Sequence, residues 1–220
     1  MRIKALFLDF NGVILDDREL SYRSTRAVFT AFGVTNIPTL EEWRSCIGSN
    51  YMDFYRKYGI PPNLTSSDLN NIRNKFIFEN WNEVSVRPYC ADILRHLRRN
   101  GLETAIVSAE TRPLLEKRIK ENNLDILFDR IYADASPKKD HLVTALDEFG
   151  LKAEEVLFVE DSAEGVVAGN ELGLLTIAFL NETSYSFHHR LEVANPKFRI
   201  VELSDLIDLV SLINIGNIKT

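Results

Sequence analysis

The stretch Lys4-Ala5-Leu6-Phe7-Leu8-Asp9-Phe10-Asn11-Gly12-Val13-Ile14-Leu15 decides how this chain folds. Residues 3–8 form a nearly continuous apolar run that stops at the carboxylate of Asp9. Such runs fit a strand covered on both faces, as in a parallel sheet. In open α/β sheets, ligands bind beyond the carboxyl ends of the strands. Asp9 would then stand at a binding edge, with Gly12 letting the backbone turn sharply away. Asn11-Gly12 between two apolar runs is also a strong hairpin signal. The stretch alone leaves strand end and hairpin both open.

Further along, the pattern changes and then settles. Between residues 16 and 84 strand-like runs vanish. Tyr22, Thr25, Val28, Phe29 and Phe32 recur at helical spacing, and Thr39 with Glu42 reads as a capping box before a second helix. Residues 51–58 and 67–81 predict two more helices. After Arg87-Pro88 helices and strands alternate: helix 89–100, strand 103–107, helix 111–122, strand 130–133, helix 140–149, strand 156–159, helix 163–172, strand 174–179, strand 199–202 and a final helix from Ser204. Strands alternating with helices of about ten residues mean βαβ units and a parallel sheet. The expected class is α/β, a doubly wound parallel sheet with a helical insertion. The expected division is a core of residues 1–15 and 85–220 and a helical domain of residues 16–84.

Composition narrows the function. The 220 residues are 45% hydrophobic and 26% charged, ordinary globular values that exclude disorder. The net charge of -6 argues against a nucleic-acid partner. Cys46 and Cys90 match no metal spacing and read as reduced thiols. No apolar stretch approaches the roughly 18 residues of a membrane span, and no apolar leader precedes the first strand. The expectation is a cytoplasmic protein with no membrane partner; the oligomeric state is not written in the sequence.

Four strand ends carry reactive or anion-binding side chains: Asp9, Ser108, the pair Lys138-Lys139, and Glu160-Asp161. In a parallel sheet these ends share one edge. Asp9 and Asp161 offer hard oxygen ligands to Mg²⁺. Ser108 and the backbone N–H of Ala109 can donate to phosphate oxygens, and a lysine at a helix N-terminus adds charge where the dipole favours an anion. The chemistry this serves is phosphoryl transfer through a covalent aspartyl intermediate. Singly, each residue has a plain reading: a turn aspartate, a helix cap, solvated lysines, acidic caps. Their common position at strand ends favours the joint one.

In these residues the chain resembles the haloacid dehalogenase superfamily. Asp9-Phe10-Asn11-Gly12-Val13 looks like its first motif, Ser108 its second, Lys138 its third and Glu160-Asp161-Ser162 its fourth. The resemblance implies a doubly wound core with residues 16–84 as an inserted helical cap. It implies that Asp9 attacks phosphorus. Asp9, the Asn11 carbonyl and Asp161, with Glu160 nearby, would bind Mg²⁺, and Ser108, Ala109 and Lys138 would hold the phosphoryl group of a small phosphorylated metabolite. Lys138 is preferred to Lys139 because His141, Leu142, Ala145 and Leu146 then fall on the buried face of the helix. Gly48-Ser49-Asn50-Tyr51 resembles the cap loop that selects substrate, and Arg23, Arg26 and Arg44 could assist an anionic one.

The departure is Asn11. The family's phosphatases usually carry Asp there, which protonates the leaving oxygen and then deprotonates water. An amide does neither, and general acid–base catalysis is typically worth ~10²–10⁴-fold. The sequence therefore predicts a slow phosphatase whose turnover rises in Asn11→Asp. Alternatives are a regulatory member that binds a phosphorylated metabolite without turnover, or dehalogenase or phosphonatase chemistry. The acidic pair argues against the metal-free dehalogenase. A phosphonatase would need a cap lysine, for which Lys57 and Lys75 exist.

Overall fold

A computed structural model of the chain describes residues 2–46 and 51–216. The first strand, β1 (Ala5–Leu8), is buried at every residue. Among the described residues four helices follow: α1 (Arg18–Ala31), α2 (Leu40–Cys46), α3 (Tyr51–Lys57) and α4 (Ser66–Glu79). Then come α5 (Cys90–Arg99), β2 (Glu103–Val107), α6 (Arg112–Glu121), β3 (Arg130–Tyr132), α7 (Lys138–Phe149), β4 (Val156–Glu160), α8 (Ala163–Glu171), β5 (Leu175–Phe179), α9 (His188–Val193), β6 (Phe198–Ile200) and α10 (Asp205–Asn214). The six strands form one parallel sheet in the order β3-β2-β1-β4-β5-β6. The order reverses at β1, so the crevice between diverging connections opens at the end of β1, flanked by β2 and β4.

Alternation along the strands divides the core. Leu6, Leu8, Ile106, Leu157 and Val159 pack on one face with residues of α5, α6 and α10. Ala5, Phe7, Ala105, Val107 and Phe158 pack on the other with Leu142 and Ala145 of α7. Both faces are covered, which is why the strands read as unbroken apolar runs.

The helical insertion α1–α4 has a core of its own. Val28, Phe29, Trp43, Phe54, Tyr55 and Leu69 pack together, with Phe29 at the centre of several ring contacts. The expected capping box forms at the start of α2, where Glu42 N–H donates to Thr39 and the Glu42 carboxylate accepts from Thr39 N–H. A second one, which the sequence reading misses, starts α4: Thr65 and Asp68 cap each other. This helix stops at Glu79, two residues short of the expectation, because Asn80 turns its amide back onto the Phe76 carbonyl.

The hairpin alternative fails. The Ile14 and Leu15 N–H groups fold back onto the Phe10 carbonyl, and β1 pairs only in parallel. What remains of it is a single antiparallel bridge between Leu15 and Val86, flanked by bonds from Asp16 N–H to the Ser85 carbonyl and from Arg87 N–H to the Ile14 carbonyl. There the chain enters and leaves the helical insertion. His188 and His189 begin α9, a short helix whose anchor is the buried Leu191.

Candidate active site

The ends of β1, β2 and β4 and the first turn of α7 bring the sequence-predicted side chains together. Lys138 Nζ lies 2.9 Å from Asp9 Oδ2 and 2.6 Å from Glu160 Oε2. Lys139 instead pairs with Glu171 at the exposed surface. Leu142 and Ala145 are buried as the preferred register requires, while His141 and Leu146 are half-buried. Asp9 Oδ1 accepts from the Phe10 N–H at 2.7 Å. Glu160 Oε1 accepts from the Asp161 and Ser162 N–H groups, at 3.1 and 2.9 Å. Ser108 Oγ donates to Asn11 Oδ1 at 3.4 Å and accepts from the Glu110 N–H.

Asp9, Glu160 and Asp161 present carboxylate oxygens within 4.8 Å of one another. All three are buried. Burial and the charge on Asp9 push the Glu160 carboxyl up to about 7. Burial, then Glu160 and Asp9, lift Asp161 well above the usual carboxylate range. Burial opposes the charge on Lys138, but Asp9 and Glu160 outweigh it and hold the ammonium protonated. One ammonium against three carboxylates leaves negative charge in a buried place, which is costly unless another cation shares it. Asp161 Oδ2 accepts from the Tyr185 N–H at 2.7 Å, but the buried Oδ1 has no hydrogen-bond partner among the described residues. An all-carboxylate donor set with one unpartnered oxygen fits a hard divalent cation. The backbone approaches this group closely. A Cβ on Gly12 (φ +78°) would come within 2.0 Å of Asp161 Oδ2.

Several further groups shape the site. Asp17, buried in the same loop as Asn11, accepts from Asn11 Nδ2 at 2.5 Å and from the Gly12 N–H at 3.0 Å. Glu110, two residues past Ser108, accepts from Asn11 Nδ2 at 3.5 Å and meets the Arg73 guanidinium of α4 through two bonds of 2.9 Å. Burial, together with Glu110, pushes the Asp17 carboxyl up to about 6. Burial also opposes the Glu110 charge, but Arg73 overrides it and lowers that carboxyl. Arg87 donates twice to the Gly12 carbonyl and once to Thr183, tying the turn after β1 to the loop after β5. None of Asp17, Glu110, Arg73 or Arg87 lies in a motif. The one sequence signal for Asp17 and Glu110 is an acid placed close to a residue already singled out.

Gly48, Ser49 and Asn50 lie outside the described residues. Arg23 is engaged by Glu83 and Asn80. Arg26 lies over the ring of Tyr22. Arg44 donates to the carbonyls of Ser184, Tyr185 and Ser186 and so fastens the helical insertion to the loop after β5.

Residues 6–179 match the haloacid dehalogenase-like hydrolase family. The chain belongs to this family. Among its relatives, pyrophosphatase PpaX of Bacillus cereus is 27% identical over 223 residues, covering 97% of this chain and 99% of that protein. PpaX of Oceanobacillus iheyensis is 24% identical over 96% of this chain and 98% of that protein. Among solved structures, CbbY from Rhodobacter sphaeroides, in complex with phosphate, superposes with a TM-score of 0.77 at 24% identity, covering 93% of this chain and 96% of that one. A haloacid dehalogenase-like hydrolase from Streptococcus pneumoniae gives 0.77 at 17% identity over 94% and 98%. The haloacid dehalogenase-like sheet, with helices on both faces, is the one described above. Among the described residues no helix is long and apolar enough to cross a membrane.

Proposed function

We propose that this protein is a Mg²⁺-dependent phosphomonoester hydrolase. The observation that carries the reading is Asp9 at the end of β1, held by Lys138 and facing the carboxylates after β4. Asp9 attacks phosphorus, the ester P–O bond breaks, and the leaving oxygen departs with the electron pair. The leaving oxygen takes a proton from solvent; water then attacks phosphorus of the aspartyl-phosphate and gives a proton back to solvent, and the bond from phosphorus to Asp9 breaks with its electron pair returning to the carboxylate. Lys138 neutralises Asp9 and grips the phosphoryl oxygens, while the Ala109 N–H, and the Ser108 hydroxyl once it turns from Asn11 Oδ1, donate to them. Asp9, the Asn11 carbonyl and Asp161 would hold Mg²⁺, with Glu160 fixing Lys138 beside them. What the bound cation supplies is positive charge against the phosphoryl oxygens.

Helices α1–α4 act as a cap over this site in the proposed scheme. Asp9 and Ser108 are buried beneath it, and Arg73 and Arg44 fasten it. Substrate entry requires these contacts to open, and their reclosure excludes water. The PpaX relatives carry a pyrophosphatase name and the CbbY structure holds phosphate, which favours a small phosphorylated metabolite as substrate. The phosphonatase reading loses support, because Lys75 lies 3.9 Å from Glu79 at the exposed surface and Lys57 lies over Tyr58.

Asn11 offers no proton, so the reading favours activated esters. It also supports the second reading, a binder of phosphorylated metabolites. Turnover of p-nitrophenyl phosphate with Mg²⁺, lost on chelation and lost in Asp9→Asn, is the expected result. No turnover under any condition, with phosphate still bound, would establish the binder instead.

A further inference from the structure

Asn11 is held from two sides by acids that no motif contains. Its Nδ2 donates to Asp17 Oδ2 and to Glu110 Oε2, which leaves its Oδ1 to receive the Ser108 hydroxyl. An amide has two N–H donors and an oxygen acceptor, and here each side of it is used. A carboxylate at position 11 could answer Ser108 but would have nothing to donate to Asp17 or Glu110. Asp17 is itself fixed, because its other oxygen holds the Gly12 N–H. Glu110 is fixed by the paired bonds from Arg73 and by the Thr111 N–H at 2.7 Å. The string Asp17–Asn11–Glu110–Arg73 thus runs from the turn after β1, across the loop after β2, to helix α4.

We propose that Asp17 is a positioning residue for the candidate active site: with Glu110 it anchors the Asn11 amide so that the oxygen faces Ser108. This rests on the phosphatase reading for its catalytic meaning, but the anchor stands on the geometry alone. Positions 11 and 17 share one carboxylate and one amide. Two carboxylates there, beside Glu110, would be like charges in a buried site. The slow turnover expected from Asn11 is consequently not cured by Asn11→Asp alone. That change adds a third acid to Asp17 and Glu110. The exchange Asn11→Asp with Asp17→Asn keeps the pair and reverses it.

The test compares the full-length wild type with Asn11→Asp, Asp17→Asn and the exchanged double variant. The readouts are thermal unfolding, solvent exchange of the Asn11 carboxamide by NMR, and p-nitrophenyl phosphate kinetics with Mg²⁺. Asn11→Asp is expected to lower Tm by roughly 5–10 °C, and the exchange to recover at least half of that loss. In the wild type the Asn11 carboxamide protons exchange slowly, and Asp17→Asn speeds their exchange. Asp17→Asn lowers kcat about tenfold with KM within about twofold, since it disturbs alignment and not binding. An Asn11→Asp protein as stable as the wild type, an exchanged protein no more stable than Asn11→Asp, or a carboxamide indifferent to Asp17→Asn would each overturn the proposal. A wild type that turns nothing over defeats the phosphatase reading, and the stability pattern and carboxamide exchange then decide the anchor by themselves.

Discussion

Replacing Gly165 with alanine should reverse the usual sign of that substitution. Gly165 lies in the first turn of α8. Inside a helix, Gly→Ala normally gains about 1 kcal/mol. Here the new Cβ would lie 2.1 Å from Glu160 Oε2, 2.3 Å from its Cδ and 2.6 Å from its Cγ. Glu160 cannot step aside cheaply. It is fully buried, with one oxygen on two backbone N–H groups and the other on Lys138. Overpacking costs about 1–3 kcal/mol, and a lost hydrogen bond to a charged group about 1.5–3 kcal/mol. Set against the helical gain, the net loss is about 1.5–5 kcal/mol, or about 5–15 °C in Tm for a chain of this size. Thermal unfolding followed by circular dichroism reads this directly. Turnover should fall as well, because Glu160 places Lys138. A Gly165→Ala protein as stable as the wild type would refute the reasoning.

Further outcomes follow from the same contacts. The exchanged pair, Asn11→Asp with Asp17→Asn, should raise hydrolysis of an alkyl phosphate by about 10²-fold over wild type, since it restores a titratable group at position 11; steady-state kinetics with a poor leaving group checks it. Mg²⁺ should stabilise the folded protein by mass action, by about 1.4 kcal/mol at ten times its Kd, and Asp161→Asn should abolish the Tm rise measured by calorimetry. Arg73→Met strands the buried Glu110 and should cost about 2–4 kcal/mol after allowance for the partly exposed arginine; urea unfolding checks it, and adding Glu110→Gln should recover much of the loss. Asp17 has a folded-state value of about 6 against an ordinary 3.8, so its protonated form is the one the fold favours. Its contribution is complete below about pH 3.8 and is lost as pH rises through about 6, a change on the order of 3 kcal/mol. In metal-free protein the wild type should therefore lose ground to Asp17→Asn across that window, and a constant Tm difference between the two would contradict it.

The sheet and the strand-end residues were readable because their causes are local. Apolar runs that stop at Asp9 and Glu160 announce strands buried on both faces, and the order of the elements dictates a parallel sheet. Lys138 could be told from Lys139 because helix periodicity decides which of two neighbours faces inward. What stayed hidden depends on contacts between distant residues. Arg73 reads as one more charge on an amphipathic helix until α4 is laid against the loop after β2. Glu110 looks like a solvated residue after Ser108. Arg44 looked available to a substrate, yet backbone carbonyls from residues 184–186 occupy it. Asp17 and Glu110, the side chains that surround Asn11, were equally out of view. The short helix α9 has too few turns to impose a period.

The crossing at Leu15 and Val86 makes the helical insertion exchangeable in principle. A segment whose two ends are already hydrogen-bonded to each other asks nothing of the sheet about its length. The core could be closed at Asp16 and Ser85 by a short linker, and another helical module could be threaded through the same doorway. Asp17 stands just inside that doorway, and Arg73 reaches out from the far end of the module. A transplanted module would carry both of these residues away. The carboxylates and the lysine at the strand ends would stay behind, while the residue at position 11 would have to be chosen anew to suit its new neighbours.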